Sequence, residues 1–112
     1  MAVRLFTDDA RTVLAMIKDK IDQGHIDTWT YTPRGDFTHT PASGQWTNKA
    51  WLLPKTLEDR LELNIIRPKN RSVEREVYAV YHGWFIEMAI AHVPEFFKIA
   101  AATAWPTKGD LV

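Results

Sequence analysis

The densest group of side chains able to do chemistry is Tyr81-His82-Gly83-Trp84, with Glu87 one helical turn on. Histidine is the side chain best suited to proton transfer near neutral pH, and a carboxylate beside it would orient the ring. Glycine at such a place lets a ligand approach the backbone, and a helix beginning there would favour an anion. The plainer reading makes His82 a cap, Gly83 a turn and Glu87 a solvated residue. His39 is a second titratable group that a fold could bring to the cluster.

Other chemistries have less support. Cysteine is absent, which removes disulfides, cysteine zinc sites and a thiol nucleophile, and favours a cytoplasmic setting. The histidines are His25, His39, His82 and His92, and no two share a His-x-x-x-His spacing. Glu87 stands five residues from both His82 and His92, about 140° around a helix, so those side chains diverge. No metal and no cofactor are therefore implied. His92 falls on an apolar stripe, as a core histidine would. Ser43 and Ser72 lie in loops without a neighbouring base, and no glycine-rich phosphate loop occurs.

Fourteen basic residues balance fourteen acidic ones, so no global field gathers a polyanion. Arg67, Lys69, Arg71 and Arg75 would reach phosphates from a hairpin tip, but Glu74 and Glu76 interrupt them. Nucleic-acid binding is not expected. No stretch reaches the roughly 18 apolar residues that span a bilayer, and the first residues lack a signal peptide's apolar run. The expected partner is a protein or small ligand, with a homodimer as a further option and neither nucleic acid nor membrane. Arg34-Gly35-Asp36 spells an integrin-recognition tripeptide, but tripeptides recur by chance.

The elements that must position these groups follow from hydrophobic period. Ala10, Val13, Leu14, Ile17 and Ile21 recur at steps of three and four, which predicts a helix, with Thr7 as N-cap and Gly24 as its stop. Trp29 and Tyr31 then alternate with threonines. Residues 33–36 make a turn, and 37–40 return as a second strand. After a loop at 41–44, residues 46–53 read as a third strand closed by Pro54. Leu61, Leu63 and Ile65 alternate as a fourth, and Glu76-Val77-Tyr78-Ala79-Val80-Tyr81 reads as the strongest strand of all.

His82-Gly83 would then be a strand-to-helix junction. Phe85, Ile86, Met88, Ala89, His92 and Val93 follow at helical spacing, and residues 96–105 fit either helix or short edge strand. The expected fold is a single-domain α+β two-layer sandwich. Its antiparallel four- to five-stranded meander carries an N-terminal helix and a second helix near 84–93 on one face. Trp29, Tyr31, Phe37, Trp46 and Trp51 would supply core rather than a stacking wall. Since no complete catalytic constellation is visible, the sequence favours a non-enzymatic interaction domain. The alternative is a small enzyme with His82 as general acid or base, supported by Glu87 or His39. The ligand-binding candidates are His82, Trp84, Tyr81, Glu87 and His39.

Overall fold

The structure is a computed structural model and describes residues 2–40 and 45–112. The loop expected at 41–44, with Ser43, lies outside the described residues. Six strands and two helices run in the order β1 (Ala2–Phe6), α1 (Ala10–Asp22), β2 (Trp29–Tyr31), β3 (Phe37–His39), β4 (Trp51–Thr56), β5 (Arg60–Ile66), α2 (Arg75–His92) and β6 (Ile99–Ala102). A 3-10 turn, Pro94–Phe96, precedes β6. The strands form one sheet in the order β2-β3-β4-β5-β1-β6, antiparallel throughout. This is the α+β arrangement expected, with a larger sheet. The meander of β2 to β5 is extended by β1, which lies between β5 and β6.

Alternation builds the core. Val3 and Leu5 of β1 and Leu61, Leu63 and Ile65 of β5 are fully buried on the face that meets the helices, with Leu52 of β4 beside them. Val13 and Ile17 of α1 and Tyr81, Phe85, Met88 and Ala89 of α2 close over it. Each such side chain contributes about 1.5–3 kcal/mol relative to exposure. On the other face Arg4 stands opposite Glu62, and the Nε atoms of Arg4 and Arg60 both donate to Glu62 Oε1, at 3.0 and 3.1 Å.

The first helix starts two residues later than expected. Asp9, not Thr7, caps α1: its carboxylate accepts from the Thr12 amide at 3.2 Å and the Thr12 hydroxyl at 2.7 Å. These bonds hold the Asp9 carboxyl below its usual range. Thr7 instead ties the strand end down, donating to the Phe96 carbonyl at 2.9 Å. Gly24 ends the helix as its position suggested, at φ +80°, a left-handed conformation that glycine adopts without cost.

Two expectations are corrected, and one left open is decided. The segment read as the strongest strand, 76–81, is the first part of α2, which therefore begins at Arg75 rather than near 84. Its alternation over six residues is an accident of a helix that is apolar on nearly every side. Val77, Tyr78, Tyr81, Phe85, Met88 and Ala89 are its buried residues, a helical spacing carried through all 18 residues. The third strand is not 46–53 but 51–56, and Pro54 sits inside it. β3 pairs with β4 only at Phe37 opposite Leu52, so β4 beyond that point is an edge where no neighbour needs an amide from Pro54. The ambiguous stretch 96–105 holds the four-residue strand β6.

Candidate functional site

The merger of strand and helix into one α2 changes what its central residues can do. His82 and Gly83 are no junction but lie mid-helix. His82 is 2% exposed and its Nδ1 donates to the Tyr78 carbonyl four residues back, at 2.6 Å. Its ring lies 4.7 Å from that of Tyr78. Residues 84 and 87 are rotated by about 200° and 140° from residue 82 around an α-helix, so Trp84 and Glu87 project elsewhere.

Four of the five candidates do come together, around His39 rather than His82. The His39 ring lies 4.8 Å from Trp84 and 6.2 Å from Tyr81, and Trp29 meets it edge-on at 4.9 Å. Glu87 is near enough to favour the imidazolium, yet burial dominates and pushes the His39 pKa below the ordinary histidine value. The ring is 3% exposed, and Nδ1 has no hydrogen-bond partner among the described residues. His39 is thus a ring packed in an aromatic knot, where burial favours its neutral form.

Tyr81 is the fastening of that knot. Its hydroxyl donates to the Trp46 carbonyl at 2.6 Å, accepts from the Lys49 amide at 3.0 Å and lies 3.2 Å from the Thr38 hydroxyl. Thr38 in turn donates to the Ala50 carbonyl at 2.8 Å. A phenol with this many partners holds the 46–50 segment rather than awaiting a substrate.

The outer face of α2 is chemically different. Ala79, Gly83 and Ile90 are exposed along one stripe, Val80 and Ile86 flank it half-buried, and Trp84 is 42% exposed beside it. A Cβ added at Gly83 would meet nothing within 4 Å. Glu76 and Glu87 lie on this face as well, and Arg75 is exposed one turn before Ala79.

A second concave region lies at the end of the sheet where the 67–72 turn meets the β2–β3 tip. Two adjoining hollows share Pro68 and Lys69. The expected basic turn is here in part: Arg67, Lys69 and Arg71 line the hollows, joined by Lys49 and Arg34. Arg75, expected with them, is elsewhere. Its guanidinium donates to the Ala104 carbonyl at 2.5 Å and lies over the rings of Tyr78 and Trp105. Sequence reasoning could not find Lys49, because only the fold brings residue 49 to residue 71.

The tripeptide 34–36 sits at the hairpin tip with Gly35 at φ +94°, but Asp36 is 5% exposed and its carboxylate accepts from the Thr32 hydroxyl. It is not displayed for recognition. Among the described residues no three His, Asp or Glu side chains gather as a metal ion would need. Among the described residues, no helix is long and apolar enough to cross a membrane. No protein-family model, curated protein or solved structure matches this chain.

Proposed function

We propose that this is an interaction domain that docks a protein partner on the outer face of α2. One observation carries the reading: the side of α2 that faces solvent is mostly apolar, with Ala79, Gly83, Trp84, Ile90 and Ala91 exposed beside Arg75, Glu76 and Glu87. A surface helix normally turns polar residues outward. Here Ala79, Gly83, Trp84 and Ile90 are exposed together. Exposed apolar surface interspersed with a few charges is a common mark of a binding face. Trp84 is suited to be its anchor, since a tryptophan held by packing on one side loses little freedom when the other side is covered. The small residues Ala79 and Gly83 let a partner's backbone come close. Arg75 is occupied by Tyr78, Trp105 and the Ala104 carbonyl, so Glu76 and Glu87 are the charges this face offers a partner, and the fitting surface is apolar with lysine or arginine placed to meet them.

Photo-crosslinking tests this, with a reactive side chain placed at Ile90 and, as control, at Asp19 on the exposed side of α1. Sedimentation velocity of the purified chain runs alongside. The expected result is one discrete adduct from position 90, none from position 19, and loss of the adduct when Trp84→Glu is added. A dimer in sedimentation that Trp84→Glu abolishes makes the partner a second copy. Equal labelling from both positions, with sedimentation unchanged by Trp84→Glu, rejects the face.

A further inference from the structure

The two hollows at the far end of the molecule are built differently, and that difference defines a ligand. The first has a volume of 290 Å³ and is lined by Lys49, Lys69 and Arg71 against one carboxylate, Glu74. The second, of 610 Å³, is walled by Trp51, Ile66, Pro33 and Pro68, with Arg34 and Arg67 among its lining residues. Its carboxylate, Asp36, is already engaged by Thr32. No side chain of the five cations makes an ion pair or hydrogen bond among the described residues. Five cations facing two carboxylates leave the hollows with an excess of positive charge, which an anion bound there would offset.

The walls are also fixed in advance. Lys49 is positioned by its backbone N–H, which donates to the Tyr81 hydroxyl, and its neighbour Asn48 holds a left-handed φ of 56°. Across the hollow, the Arg71 amide donates to the Pro68 carbonyl at 3.3 Å, and Asn70 has φ 65°. The Arg67 amide donates to the Leu111 carbonyl at 2.7 Å, which anchors the base of the same turn to the C-terminal segment. A site whose backbone is already ordered spends little binding energy on ordering. Trp51 stands out among the five aromatics of residues 29–51. Trp29 and Phe37 are buried in the core and Tyr31 and Trp46 pack against it, whereas Trp51 is half-buried and lines this cleft.

We infer that this cleft binds a nucleoside phosphate, with the phosphate among Lys49, Lys69 and Arg71 and the flat base against Trp51. Lysine and arginine supply the charge and the forked donors that phosphate oxygens accept. An indole offers the face on which a base stacks, an interaction worth about 1–3 kcal/mol. Lys69 belongs to both hollows, so a ligand carrying both groups spans them without a gap. A mononucleotide suits better than a nucleic-acid strand, because a chain of zero net charge has no wider field to follow a polyanion.

The test is a titration of the nitrogen-15-labelled full chain with adenosine 5′-monophosphate, and separately with inorganic phosphate. Amide and indole signals are followed by NMR. The mononucleotide is expected to shift the Trp51 indole N–H and the amides of residues 49 and 69–72 in one saturable process. Inorganic phosphate is expected to shift only the amides and to bind at least about tenfold more weakly, the loss of one stacking contact. The double variant Lys69→Gln/Arg71→Gln changes two exposed side chains and should retain the wild-type spectrum elsewhere, while weakening the mononucleotide about tenfold or more. Trp51→Ala should bring the mononucleotide down to the affinity of phosphate. The inference fails if no saturable shift occurs below about 10 mM ligand, or if the double variant binds as wild type. It also fails if a single-stranded oligonucleotide binds more than about a hundredfold tighter than the mononucleotide, which would make the cleft a strand-binding groove.

Discussion

The two halves of this molecule are held by different physics. On the β2–β3–β4 side, Trp29, Phe37, Tyr81 and Phe85 interlock with ring centroids 5.1–5.6 Å apart, and polar groups serve mainly to tie the 46–50 segment to Tyr81. On the β1–β6 side the outer strand is Ile99–Ala102, three of its four residues alanine. Here the C-terminal segment does the fastening through hydrogen bonds. Asp110 Oδ1 accepts from the Ile65 amide at 3.0 Å and the Asn64 side chain at 2.9 Å, and Oδ2 accepts from the Thr107 amide at 2.7 Å. Leu111 then forms a parallel bridge with Ile66, beside the end of β5 that β1 does not cover. Packing of large rings is cooperative, since each void is felt by all neighbours. A clasp made by one carboxylate can open locally.

The largest effect should come from the aromatic half. Phe85 is fully buried between Trp29 and Phe37. Phe85→Ala should cost about 3–5 kcal/mol in denaturant melts. It should raise amide exchange everywhere, because global unfolding becomes the route to exchange. A cost under about 1 kcal/mol would mean the rings do not form one packed unit.

Asp110→Ala should cost less, about 1–3 kcal/mol, the penalty for stripping partners from partly buried donors. Exchange should quicken at Ile65, Arg67 and Leu111 while the amides of α2 keep their protection. Uniform acceleration would erase the distinction between the halves. Burial acts to raise the Asp110 pKa, but the bonds from Thr107 and Asn64 contribute to a net value below the usual carboxylate range. Stability from this clasp is thus present above the ordinary aspartate value near 3.8 and lost as pH falls through the lower folded value.

What the sequence reveals follows the same division. α1 is legible because a 13-residue amphipathic helix repeats its period often enough to be unmistakable. The β2–β3 hairpin is legible because its aromatics alternate around a Pro-x-Gly turn. α2 deceives because Ala79 and Val80 on its outer side are as apolar as Val77 and Tyr78 on its inner side. A short window of β-branched and aromatic residues then looks like a strand. β1 and β6 are hard to read because strands of five and four residues seldom show a period, and β6 is made of a good helix former. At the candidate sites, the aromatic neighbours of residue 82 are visible in sequence, but His39 as the centre of the knot and Lys49 in the basic cleft depend on long-range folding alone.

A smaller effect is pH-dependent and separates His39 from the aromatic rings around it. Burial holds its pKa below the ordinary histidine value of 6.5, so the unfolded chain binds the proton more readily. Its contribution to stability is complete above about pH 6.5 and is lost as pH falls through the folded value. His39→Gln should therefore flatten the stability profile between about pH 7 and 5. Glu87→Gln should steepen it, because the carboxylate favours the imidazolium in the folded state. A Glu87→Gln profile that superimposes on wild type would show that Glu87 is too well solvated to reach the ring.

The smallest effect is expected where the second half meets solvent. Arg75 sits over Tyr78, 4.9 Å from the ring centre, and over Trp105, 4.5 Å away, while its guanidinium holds the Ala104 carbonyl. The Tyr78 hydroxyl is buried, and burial, reinforced by the Asp110 charge, pushes its pKa up to about 12 although Arg75 and Thr103 act to lower it. Trp105 is 71% exposed, so the stack forms mostly in water, where a cation over a ring contributes about 0.5–1 kcal/mol. Arg75→Lys keeps the charge but loses the flat, forked group. It should cost about 0.5 kcal/mol or less in thermal melts. The fluorescence of Trp105, isolated by comparison with Trp105→Phe, should shift to the red as the indole swings free. If Arg75→Lys instead cost as much as Asp110→Ala, the segment at 104–105 would be part of the clasp, and the hydrogen-bonded half would extend from the sheet edge onto α2.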